Sequence, residues 1–354
     1  MTELTKVLHH RIAQNGPMSL AEFMETCLLH PAHGYYTQQD VFGASGDFVT
    51  APETSQMFGE LLGLCLAQSW QDQGCPAPFV LLELGPGRGT LMADILRATS
   101  RIEGFHQAVR LHLFEASKKL IDQQRKSLIG FDPVWLDNLA DLPNLPLFCV
   151  ANEFFDALPL HQYQRKGEGW HERQIGLTDG QLSIGLNKNP SVTPQLKARI
   201  EDTAEGDIVE INPQTRAIAA QIGNHIEAYN GVAIIIDYGD WRSLGDTVQA
   251  VKNHQFVDIL KAPGEVDLTA HVDFEAIVNA AACAASRLTP QGVLLERLGI
   301  TPRAQILAKN LSGPALEHHI AAHRRLTHPD EMGTVFKALA LFPKASPPPP
   351  GFQT

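Results

Sequence analysis

Gly85, Gly87 and Gly89 stand at alternate positions, directly after the apolar run Phe79 to Leu84 and directly before an amphipathic stretch that begins at Thr90. Glycine lets a backbone turn sharply and approach a ligand closely, and the exposed N–H groups at the start of the next helix attract an anion. The loop after the first strand is also where open α/β sheets bind ligands. Glu83 belongs to the same turn, Glu83-Leu84-Gly85-Pro86-Gly87-Arg88-Gly89. A dinucleotide turn is not met, because Thr90 stands where the third glycine belongs, and a phosphate loop is not met, because no lysine follows. One strand later, the run Leu111 to Phe114 ends at Glu115, a carboxylate placed to accept hydrogen bonds from both hydroxyls of a ribose. Turn and acid together fit a nucleoside with an anionic tail. S-adenosyl-L-methionine is the expected cofactor, its methionine carboxylate at the helix N-terminus. A plain strand-to-helix turn is the competing reading of the glycines.

Other strand ends carry further candidates. Asp137 and Asn138 follow the third strand, where a carboxylate or amide could receive an adenine amino group with Leu139 against the ring; a helix cap is the alternative. Asn152-Glu153-Phe154-Phe155-Asp156 follows the fourth strand and brings two carboxylates next to where a transferable methyl group should project. Asp47, Thr50 and Glu53, ahead of the core, are candidates for a lid over the cofactor or for contact with a basic peptide, with loop stabilisation as the alternative. Asp237, at the end of the fifth strand, is open to both kinds of reading. The 15 histidines show no metal-ligand spacing, so no metal is expected.

The elements that must position these residues alternate as an α/β fold. Short apolar runs at Phe79 to Leu84, Val109 to Phe114, Pro133 to Leu136, Leu147 to Ala151 and Val232 to Asp237 read as strands of a mostly parallel sheet. Helices are expected at about Thr90 to Thr99, Ser117 to Leu128 and Pro213 to Tyr229, the last begun by Asn212 and Pro213. Ahead of them, Ser19-Leu20-Ala21-Glu22 spells a capping box for a helix to about Leu29, and Met57 to about Gln71 has helical apolar spacing. The expected organisation is an N-terminal helical lid over residues 1–72 and a core over 73–342. Insertions fall at about 160–210, read as a hairpin, and at about 240–272, read as loop-rich. The proline-rich residues 343–354 read as a disordered tail.

Charge narrows the partners. With 28 basic against 39 acidic residues the net charge is −11, and no basic run stands out, so a nucleic acid is not an expected partner. No apolar stretch approaches the ~20 residues of a membrane helix. Five cysteines without C-x-x-C spacing suit a reducing compartment, and a cytoplasmic location is expected. Nothing in the sequence excludes a homodimer.

Taken together, His33-Gly34-Tyr35-Tyr36, Gly46 to Glu53, Phe58-Gly59-Glu60, Glu83 to Gly89, Ala151 to Pro159, Asp237-Tyr238-Gly239 and Asp267-Leu268-Thr269-Ala270 resemble the MidA-like family of methyltransferases. The resemblance spans nearly the whole chain. It implies a class I Rossmann-like methyltransferase core with an N-terminal helical lid and later insertions. Mitochondrial members are complex I assembly factors that methylate an arginine, which implies a protein substrate such as a subunit of respiratory complex I (NADH-quinone oxidoreductase). For a cationic guanidinium, Glu153 together with Asp156 would supply paired hydrogen bonds, and Asn152 would orient the acceptor or its loop. A cofactor-binding scaffold without catalysis and a small-molecule methyltransferase are the competing functions.

Overall fold

The computed structural model describes residues 2–38, 49–252 and 255–354. Its central sheet is built on β1 (Phe79–Leu84), β2 (Val109–Phe114), β3 (Val134–Leu136), β4 (Leu147–Asn152), β5 (Gly231–Asp240) and β6 (Phe336–Phe342). They lie in the order β3-β2-β1-β4-β5-β6, parallel throughout except for antiparallel β6 against β5. The chain thus leaves β1 in one direction toward β3 and returns to its other side with β4. That reversal opens a crevice at the C-terminal ends of β1 and β4, the place where such sheets bind ligands.

The strands are apolar on both faces because both faces are covered. Phe79, Leu81, Phe148, Val150, Ile234 and Ile236 point to one side, where helices Gln56–Asp72 and Thr90–Thr99 pack. Val80, Leu82, Cys149, Ala151, Ala233 and Ile235 point to the other, against helices Pro213–Tyr229 and Phe274–Ala280. Helix Gln56–Asp72 is therefore a layer of the core rather than part of a lid ending at residue 72. Its buried Glu60 accepts from Arg97 Nη1 at 2.7 Å and from Arg303 Nε at 2.8 Å, joining it to helices Thr90–Thr99 and Ile300–Ala308.

A third apolar cluster roofs the crevice. Leu4, Leu8, Phe23 and Met24 of the N-terminal helices pack with Ile175, Ala250 and Leu268 of the insertions. The first insertion is a curled sheet in which His161–Lys166 and Gly169–Thr178 form the expected hairpin, extended by Gln181–Leu186, Ile208–Ile211 and Met18–Ser19. The second is loop-rich, as its composition suggests, but it contains a small sheet. Gln249–Lys252 pairs antiparallel with both Gln255–Val257 and Asp267–Thr269, strands too short and too polar to declare themselves by alternation.

The C-terminal end holds helices that no sequence pattern announces, and it corrects one expectation. Residues 291–335, which show no clear pattern in sequence, hold helices Gln291–Arg297, Ile300–Ala308, Gly313–Thr327 and Met332–Val335. The 343–354 tail is ordered. Phe352 is buried in the core beside Leu294, and Arg287 N donates to Gln353 O at 2.7 Å while Arg297 Nη1 donates to Gly351 O at 3.1 Å. Proline forbids a helix here but not an extended segment whose one aromatic anchor repays its ordering. Among the described residues, no helix is long and apolar enough to cross a membrane.

Candidate functional site

The crevice is a two-chamber cleft whose common wall is formed by Tyr36, Gly85, Gly87 and Glu153. One chamber, of about 270 Å³, is lined by Phe114, Glu115, Leu120, Phe154, Leu158 and Ile218. The other, of about 290 Å³, is lined by Glu83, Asn152, Asp156, Tyr238, Asp267 and Arg325 among others. A largely apolar slot with Glu25, Glu115 and the shared Glu153 thus adjoins an acidic, tyrosine-lined space.

The turn after β1 makes that common wall. Gly85 and Gly87 have φ of +63° and +53°, a region that side-chain-bearing residues rarely adopt. A Cβ added at Gly85 would lie 2.8 Å from the Phe154 ring, so the turn and the 152–156 segment fit only through a bare backbone. Glu83 lies beneath the turn, and burial, with Glu115 nearby, pushes its carboxyl up to about 8. Its Oε2 is buried without a hydrogen-bond partner among the described residues. Asn152 Oδ1 is in the same condition at the end of β4.

Glu115 is fixed before any ligand arrives. Its Oε1 accepts from Ser117 N at 2.8 Å and its Oε2 from Gln124 Nε2 at 3.1 Å. The fully buried Gln124 also donates to Gly87 O at 2.8 Å and accepts from Trp135 Nε1 at 2.7 Å. One amide therefore couples the glycine turn to the acid on the next strand. In sequence Gln124 is an ordinary helix residue, and only the turn of its helix toward the sheet singles it out.

At the end of β4 the backbone passes through Glu153 with φ of +50°, an uncommon conformation for a residue with a side chain. The Asp237 carboxylate holds the segment there: Oδ2 accepts from the N–H groups of Phe154 (3.2 Å), Phe155 (2.9 Å) and Asp156 (3.3 Å), and Oδ1 accepts from Tyr238 N at 2.9 Å. Asp237, open in sequence, is thus the buried anchor of the loop. Glu153 Oε1 accepts from Ala51 N at 3.2 Å and from Asn152 Nδ2 at 3.0 Å. Burial pushes the Glu153 carboxyl above its ordinary range, opposed by those donors and by Arg325. Asp156 is pushed well up by burial and by its acidic neighbours Asp237, Glu153 and Asp267.

The lid candidates divide. Glu53, on the short helix Ala51–Thr54, accepts from Thr90 Oγ1 at 2.5 Å and pairs with Arg88 at 3.7 Å, so it fastens that helix to the glycine turn. Thr50 precedes the helix and lines the acidic chamber, Arg325 Nη2 donates to Val49 O at 3.2 Å, and Asp47 lies outside the described residues. Asp137, Asn138 and Leu139 line neither chamber. Asn138 Oδ1 caps a single turn by accepting from Ala140 N at 2.9 Å, Asp137 is exposed, and Leu139 packs into the core. The cap alternative describes Asn138.

A cleft of this construction, on a sheet of this order, has known relatives. The family described as "Putative S-adenosyl-L-methionine-dependent methyltransferase" matches residues 61–294, more than half of the chain. The protein arginine methyltransferase NDUFAF7, mitochondrial, of Xenopus laevis is 35% identical, over 100% of this chain and 90% of its own length. Its Mus musculus counterpart is 35% identical, over 97% of this chain and 85% of its own length. A crystal structure of a COG1565 superfamily member from Burkholderia thailandensis, bound to S-adenosyl-homocysteine, superposes with a TM-score of 0.81 at 27% identity, covering 97% of this chain and 92% of that one.

The chain belongs to this family of S-adenosyl-L-methionine-dependent methyltransferases. The residues present fit that cofactor on structural grounds. The apolar slot with the preset Glu115 suits an adenosine, and the unpaired Glu83 Oε2 behind the glycine turn suits an ammonium donor. Among the described residues no cluster of His, Cys, Asp and Glu is arranged to hold a metal. To the acidic chamber the methyltransferase brings Tyr36, Tyr238 and Asp267 from the motif segments, to which sequence assigns no site role, and also Gln249 and Arg325, which sequence does not single out.

The Gln124 bridge gives a direct expectation. Replacing it by leucine leaves the Trp135 N–H, the Gly87 carbonyl and one Glu115 oxygen without this partner, at a cost of about 1–3 kcal/mol. Gln124→Leu is expected to weaken binding of S-adenosyl-homocysteine at least about tenfold in calorimetry. Unchanged affinity would mean that the amide does not position Glu115 for the cofactor.

Proposed function

We propose that the chain is a protein arginine N-methyltransferase of the cytoplasm whose acceptor is an arginine on a subunit of respiratory complex I (NADH-quinone oxidoreductase). The observation that carries this reading is the acidic chamber beside the glycine turn. Glu153, Asp156 and Asp267 gather there with Tyr36 and Tyr238 in a space sized for one side chain. The names of the full-length relatives support it.

When bound, S-adenosyl-L-methionine supplies an electrophilic methyl group on a sulfonium. A guanidinium stays cationic at ordinary pH, so its approach to a second cation is unfavourable unless carboxylates compensate. Glu153 provides that compensation and fixes the planar group by paired hydrogen bonds. Asn152 Oδ1, buried and unpaired, offers a further acceptor for a guanidinium N–H. Helix Ala51–Thr54 closes the chamber through Ala51 N on Glu153 and Glu53 on Thr90, which limits water near the reacting centre. The chain's task is thus positioning and charge compensation.

The experiment is to incubate the purified chain with isotope-labelled methyl donor and extract from cells lacking it, then locate the label by mass spectrometry. Label on arginine of one or a few proteins is expected, a complex I subunit first among them. Label confined to small molecules or to another residue type would overturn the reading.

A further inference from the structure

The acidic chamber holds a carboxylate that no strand end of the central sheet supplies. Asp267 opens the strand Asp267–Thr269 of the second insertion, opposite Val251, and its side chain is buried. Tyr36, from the N-terminal region, donates its hydroxyl to Asp267 Oδ1 at 2.9 Å. Burial and the charges of Asp267 and Asp156 push the Tyr36 hydroxyl well above its ordinary range, so it remains a donor. Two residues further on, Thr269 lies on the same face of the strand, where Tyr238 Oη donates to it at 2.7 Å and accepts from Gln249 Nε2 at 2.7 Å. The insertion is thereby pinned to β5, and Asp267 is held against the wall that faces the glycine turn.

Tyr36 also reaches the other chamber. Its carbonyl accepts from Ser117 Oγ at 2.9 Å, and Ser117 N donates to Glu115 Oε1 at 2.8 Å. The chain Glu115, Ser117, Tyr36, Asp267 therefore runs without a break from the ribose acid to the acidic chamber. A second observation marks this chamber as a ligand site independently of Glu153, Asp156 and Asp267: Asn152 and Glu83 line it, and each carries a buried oxygen with no partner among the described residues.

Charge decides what Asp267 is for. A sulfonium and a guanidinium together bring two positive charges into a largely enclosed space. Glu153 meets one of them, but Arg325 already compensates part of its charge, and burial with mutual repulsion pushes the Asp156 and Asp237 carboxyls upward, toward their neutral forms. A buried cation without its own partner is costly. We propose that Asp267, oriented by Tyr36, is the second carboxylate that receives the acceptor's cationic group, acting together with Glu153. This rests on the arginine reading above.

Binding in the product complex separates the two. With the chain saturated by S-adenosyl-homocysteine, the affinity for Nα-acetyl-arginine amide is compared by NMR titration with that for Nα-acetyl-citrulline amide, a neutral near-isostere. The wild type is expected to prefer the arginine probe at least about tenfold. Asp267→Asn is expected to reduce that preference to about twofold, and Tyr36→Phe to reduce it in part, while S-adenosyl-homocysteine affinity stays within about twofold in both. That unchanged affinity excludes misfolding as the cause, and a purely structural role would not move the preference. Full preference in Asp267→Asn overturns the proposal and leaves the arginine reading standing. No preference in the wild type overturns both.

Discussion

Glu153→Gln is expected to lower methyl transfer at least about 100-fold and to leave the affinity for S-adenosyl-homocysteine within about twofold. Glutamine preserves the shape, and its amide oxygen can still accept from Ala51 N, as Glu153 Oε1 does at 3.2 Å. The charge is removed, and one acceptor oxygen becomes an NH₂ donor. That charge matters most when a cationic acceptor stands against a cationic donor, so its loss falls on the transfer step more than on binding of the neutral thioether product. Single-turnover transfer to the labelled protein, with calorimetry on the same preparation, makes the comparison. Parallel loss of transfer and of product binding would instead assign Glu153 to holding the lid helix. Unimpaired transfer would exclude it from the reaction.

The parts of this site that sequence discloses share a property: each is local. The turn at Gly85 to Gly89, the acid Glu115 and the segment Asn152 to Asp156 all follow apolar runs long enough to read as strands, and the rule that ligands gather at strand ends does the rest. Asp267 and Tyr36 are placed by pairing over long sequence distance, 231 residues between their side chains. Their own elements, a strand of 3 residues and a helix of 4, carry no periodicity to read. Gln124 is hidden for another reason, since a polar residue on an amphipathic helix normally faces water, and its burial follows from the docking of its helix beside the glycine turn. Asn138 shows the opposite error. A strand end places a polar residue correctly, yet its side chain is spent on capping the next turn. The tail fails because composition reports the absence of regular structure, whereas order at Phe352 comes from one apolar contact that composition does not weigh.

Asp237→Asn is expected to lower the unfolding midpoint by several degrees and to abolish methyl transfer, whereas Asp156→Asn is expected to leave the midpoint nearly unchanged. Both oxygens of Asp237 accept backbone hydrogen bonds, three at Oδ2 and one at Oδ1. An amide has one acceptor oxygen, so whichever way the substituted side chain turned, its NH₂ would face N–H groups, at a cost of about 3 kcal/mol. The segment 153–156 would then lose the anchor that holds Glu153 at positive φ. Asp156 has no such set of donors. Burial and the neighbouring charges push it well up, and because both oxygens of Asp237 accept backbone N–H groups, the neutral form falls to Asp156. Asparagine mimics that protonated acid. The pH dependence separates the two variants further. An aspartate in the unfolded chain releases its proton near pH ~3.9, so from there up to the raised range of Asp156 the folded state binds more protons and stability falls as pH rises. Asp156→Asn should flatten this slope in thermal melts taken across that window. Equal loss of stability in both variants, or an unchanged slope in Asp156→Asn, would show that the proton and the anchor are divided differently between the two carboxylates.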